Sequence, residues 1–131
     1  MLSQECVREL QSSWLPNITD AGLDRLIGLL EKNSPLLVHG CFTRAVPMGC
    51  LATHIAWNHP GTEHLHVEAG VSWLNRVARL NPATSHVIRE WDCSGPHNWE
   101  TRAAFRALFE KERRRRCQAT RATDANALAH V

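Results

Sequence analysis

The chain contains no tyrosine, no CxxC pair, and neither an HExxH nor an HxxEH motif. The metal sites and redox centres that those motifs mark are therefore not written into it in recognisable form. It has no run of about 18 apolar residues, so no transmembrane helix is expected. Its first ten residues, MLSQECVREL, carry acids and lack the apolar stretch of a secretory signal. Five cysteines is an odd number and does not suit a disulfide framework. Together these absences predict reduced thiols and a cytoplasmic location. No segment alternates at period two for long enough to make a sheet, and no internal repeat or low-complexity linker divides the chain.

What is present fits one compact domain. Of 131 residues, 44% are hydrophobic and 21% charged, enough for a core without covalent staples. The charge is unevenly placed. Residues 1–99 carry a net −2 and residues 100–131 a net +4, so the basic character lies in the last quarter. Tryptophan occurs five times.

The periodicity predicts five or six short helices. Leu2, Cys6 and Leu10, with Val7 and Trp14 close by, mark a first helix that Pro16 ends. Thr19 caps a second, whose Leu23, Leu26, Ile27 and Leu30 face the core until Asn33, Ser34 and Pro35 stop it. Residues 36–46 read as a short extended segment, with a small strand or hairpin as the alternative. Gly49 to Asn58 is a third helix, buried along Leu51, Ala52 and Ile55. Val67 to Leu80 is a fourth, with Val67, Val71, Leu74 and Ala78 on one stripe. A short helix over 84–91 buries Val87, Ile88 and Trp91. After a loop at Cys93–His97, Asn98 caps a final helix running to about Cys117, with Phe105 and Phe109 inward and Trp99 and Ala103 elsewhere. Residues 1–117 form the domain, and residues 118–131, poor in large apolar side chains, are expected to be a flexible tail.

Chemistry concentrates in His39–His66, which holds two of the five cysteines and five of the eight histidines. Cys50 and His54 are four apart on a helix and share a face, a spacing that lets two groups bind one ion. With His64 and His66 they would supply four zinc ligands. The same pair suits a thiol reading: Cys50 lies near a helix start, where the dipole lowers a thiol pKa, and His54 lies one turn on. The plain alternative is a buried cysteine and solvated loop histidines.

The second candidate surface is the last helix. Arg102, Arg106, Arg113 and Arg116 recur at nearly whole turns and would track a phosphate backbone. Trp99, away from the core stripe, is the best placed tryptophan for a contact hot spot. A helix-turn-helix can be drawn over 67–91, but Glu90 and Asp92 oppose DNA there. The leading reading is therefore a non-catalytic binding or adaptor domain. It would use Trp99, Arg102, Arg106, Arg113 and Arg116 to meet a protein partner or a like subunit. The alternatives are a metal-binding (zinc) or thiol redox protein centred on Cys50 and His54, and a nucleic-acid accessory protein.

Overall fold

In the computed structural model, which describes residues 2–95 and 98–129, the chain is all-α apart from one two-stranded hairpin. The order is α1 (Gln4–Glu9), α2 (Asp20–Glu31), β1 (Thr43–Ala45), β2 (Met48–Gly49), α3 (Leu51–Trp57), α4 (Ala69–Trp73), α5 (His86–Cys93) and α6 (Trp99–Ala129). Among the described residues no helix is long and apolar enough to cross a membrane.

α3 occupies the middle. Every residue from Leu51 to Ala56 is buried, so this helix has no solvent face to spare. It packs on α2, α4 and α5. The close approach of α4 depends on Gly70: a Cβ there would meet the backbone and side chain of Thr53. Thr53 is itself fixed, its hydroxyl donating to the Phe42 carbonyl at 2.7 Å. Leu36–Val38 is extended and bonds to Gly49 in both directions (2.9 and 3.0 Å), and β1 pairs antiparallel with β2. The expected extended segment is thus present, and the hairpin alternative forms too, but its second strand lies beyond residue 46 and takes Gly49 from the expected third helix.

Helix ends follow local chemistry. Thr19 accepts from the Gly22 amide, and Asn98 accepts from the Glu100 and Thr101 amides. Glu9 does the same over a long separation. Its carboxylate accepts from the Ser85 hydroxyl (2.6 Å), the His86 and Val87 amides, and the Trp14 indole. Those amides are the unsatisfied donors at the start of α5, so one acid ties the first helix to the fifth. Between Glu9 and Trp14 the helix widens into a π turn at Leu10–Trp14, then tightens at Leu15–Asn17.

Three expectations need correction. The fourth helix does not begin at Val67. A 3₁₀ segment, Glu63–Glu68, is broken at His66 (φ 48°, ψ −117°), and the α-helix starts at Ala69. Val67, assigned above to the buried stripe, is 56% exposed. The last helix does not stop at Cys117 but continues to Ala129. No glycine or proline interrupts residues 99–129, and alanine is the best helix former, so nothing local ends it. The tryptophans, which helical pattern places within a turn of an element end, are not confined to the edges of the core. Trp14, Trp73 and Trp91 are wholly buried, while Trp99 is 76% exposed. Of the loop at Cys93–His97, Pro96 and His97 lie outside the described residues.

Candidate functional site

Cys50 caps the start of α3, as the spacing implied, but its surroundings decide its chemistry. The thiol is buried, with Sγ 3.7 Å from the Thr53 hydroxyl. Burial pushes its pKa up to about 11, against the opposing pull of hydrogen bonds from Thr53 and Ala52. Desolvation therefore wins over the helix terminus, and Cys50 is a thiol rather than a nucleophilic thiolate. Cys6, buried between α1 and its neighbours, is pushed up to about 12 for the same first reason, with Glu90 and Glu9 adding to it.

His54 is equally committed. Its Nε2 lies 2.8 Å from the Leu36 carbonyl. A carbonyl only accepts, so Nε2 carries the proton and is used as a donor. Burial lowers the pKa of the ring, favouring the neutral form. The ring also stands edge-on to Trp57 at 5.3 Å. His64 and His66 are exposed on the 3₁₀ segment. The four residues Cys50, His54, His64 and His66 are thus split between core and surface. Among the described residues no group of three or more His, Cys, Asp or Glu side chains is placed to hold a metal ion. The zinc shell drawn from spacing does not assemble, because α3 turns its Cys/His face into the core.

The arginines of α6 sort in an unexpected way. Arg116 donates to Asp20 (3.0 Å), Glu112 (2.7 Å) and the Leu15 carbonyl (2.7 Å) at the end of the first helical run. Arg113 donates to Asp24 at 2.9 Å. Arg106 pairs with Glu110 at 2.7 Å and lies 3.9 Å from Glu31. Arg102 lies over the Trp91 ring, 5.7 Å from its centroid. Its Nη2 is buried without a partner, and desolvation lowers its pKa. The row Arg102, Arg106, Arg113, Arg116 is therefore turned toward the body of the protein. Its charge is spent on Asp20, Asp24, Glu31 and the Trp91 face, and it is not an open phosphate-tracking surface.

The cations of α6 that remain outward and unpaired among the described residues are Lys111, Arg114 and Arg121, and the first two share a cleft. Among the described residues none of the three forms an ion pair or a side-chain hydrogen bond. The cleft, of about 580 Å³, lies between α6 and the end of the first helical run and is also lined by Gln11, Leu15, Pro16, Leu108, Arg115 and Gln118. Glu112 is also there, but it accepts from Arg115 twice at 2.8 Å and from Arg116. Chiefly through the Arg115 hydrogen bond, its carboxyl is held down to about 2. A second cleft, also about 580 Å³, flanks α6 on the α2 side, with Trp99, Ala103, Ala107 and Leu30 in its wall. Periodicity missed the outward cations because it ranked the arginines by spacing alone. Their partners, Asp20 and Asp24, are some 90 residues away in sequence.

No protein-family model, curated protein or solved structure matches this chain.

Proposed function

We propose that this protein is a small helical interaction module that docks a protein partner along α6. The observation that carries this reading is the outward face of that helix. Trp99 stands 76% exposed at its start, and Ala103 and Ala107 follow it at one-turn intervals, also exposed. An exposed tryptophan beside small residues and arginines has the composition of a contact hot spot, where a large rigid side chain buries area at low entropic cost. The course of the helix supports the same reading. Side chains from Cys117 to Thr123 are all exposed, so this stretch of the helix has little tertiary packing. Helices without tertiary packing are marginal in water and gain stability from a surface to lie on.

A site-specific photo-crosslinker placed at position 99, beside a control at exposed Asn75, which lies outside α6, tests this in cells. One recurrent polypeptide joined through position 99 and not through position 75 is the expected result, with a second copy of this chain as one form it can take. Equal, diffuse crosslinking from both positions would overturn the reading.

A further inference from the structure

We infer that the cleft between Leu15–Pro16 and the outward cations of α6 receives an acidic, amphipathic segment of a partner protein. This rests on the reading of α6 as the docking helix and names the chemistry of what docks.

The cleft has two kinds of wall. Leu15, Pro16 and Leu108 give it an apolar floor, and Lys111, Arg114 and Arg115 give it a cationic rim. Leu108, Lys111, Arg115 and Gln118 follow at steps of three, four and three, so one side of the helix presents floor and rim together. The single acid in the lining, Glu112, neutralises Arg115 but not the rest of the rim. Glu112 is already held by Arg115 and Arg116, while Lys111 and Arg114 are left without an anion among the described residues. Two unpaired cations beside exposed Pro16 and half-buried Leu108 call for carboxylates next to aliphatic side chains. A segment with Leu or Ile recurring every three or four residues, and Asp or Glu between them, supplies both.

A nucleic-acid strand fits less well. Its backbone would leave the apolar floor uncovered, and the cleft lining has no aromatic ring on which a base could stack.

The test is selection from a displayed library of random peptides about 16 residues long. The target is the whole chain, and the counter-target is the Lys111→Glu/Arg114→Glu variant. Both positions are exposed and unpaired, so the variant should melt like the wild type. A Trp99→Ala protein is screened in parallel. Enriched peptides rich in Asp and Glu, with aliphatic residues at helical spacing, are expected. They should bind the charge-reversed protein about tenfold or more weakly. Neutral or basic winners, or winners indifferent to the reversal, would overturn the inference. If winners depend on Trp99 alone, α6 docks a partner but not through this cleft. If no peptide is enriched on the wild type, the docking reading falls along with the inference. A labelled oligonucleotide of about 20 nucleotides that displaces the winners through Lys111 and Arg114 would reassign the rim to nucleic acid.

Discussion

Two sides of α6 carry the same residue types to opposite ends. On the side turned to α2, Arg113 and Arg116 meet Asp24, Asp20 and the Leu15 carbonyl, just beyond the packed rings of Phe105 and Phe109. On the side turned away, Lys111 and Arg114 meet no described acid. Arg114 and Arg116 are two positions apart, and rotation of about 200° around the helix separates their roles. Charge in a sequence is therefore not charge on a surface. The first arginine set is fold, and the second is available for contact.

The largest way to break this contrast is to remove the packing that orients the helix. Phe105 is fully buried, edge-on to Trp91 at 5.9 Å and stacked near Phe109 at 6.3 Å. Phe105→Ala should lower the unfolding free energy by about 3–5 kcal/mol in chemical denaturation. A loss of well under 1 kcal/mol would mean that α6 is not anchored there.

Acid offers an intermediate perturbation. His54 has a folded pKa below its ordinary 6.5, so as the pH falls through 6.5 the unfolded chain takes up a proton that the folded one refuses. Stability should be highest above that pH and decline below it, and His54→Gln should flatten this decline. Glu112, with its folded pKa depressed from 4.5 to about 2, contributes fully above 4.5 and loses that contribution as the pH falls toward 2. Melting curves across pH should show both steps. A rise in melting temperature on acidification through 6.5 would contradict the placement of His54.

Thiol labelling sharpens the contrast between interior and surface without altering stability. Cys93 and Cys117 are exposed, and Cys6 and Cys50 are buried with raised pKa values. Iodoacetamide followed by mass mapping should modify the first pair in the native protein and the second pair only after unfolding. Native labelling of Cys50 would reopen the thiol reading of α3. The smallest effect belongs to Trp99→Ala, which should change stability by no more than about 0.5 kcal/mol, because its side chain is mostly in water.

Much of this fold was legible from local pattern. The caps at Thr19 and Asn98, the stop after Lys32, and the inward Phe105 and Phe109 all depend on residues within a turn or two of one another. What the pattern could not carry is long-range. Helical spacing put Cys50 and His54 on one face, but not that α2, α4 and α5 would enclose that face too. It aligned four arginines, but the partners that turn them inward (Asp20, Asp24, Glu31, Trp91 and the Leu15 carbonyl) lie on other elements. The break at His66 was equally hidden, since a non-glycine residue at positive φ has no local signature; here the Trp57 indole holds the His66 carbonyl at 2.8 Å. Of the candidate site, Trp99 was visible as the tryptophan facing away from the core, whereas Lys111 and Arg114 became distinct only once their neighbours were paired.

The most direct test sets Arg116→Ala beside Arg114→Ala in urea unfolding. Arg116, with a side chain only 19% exposed, leaves the Leu15 carbonyl and Asp20 without their donor. Its loss should cost about 1–3 kcal/mol. Arg114→Ala should stay within about 0.5 kcal/mol of the wild type. Equal losses, or a larger loss at Arg114, would contradict the division of α6 into a structural side and a contact side.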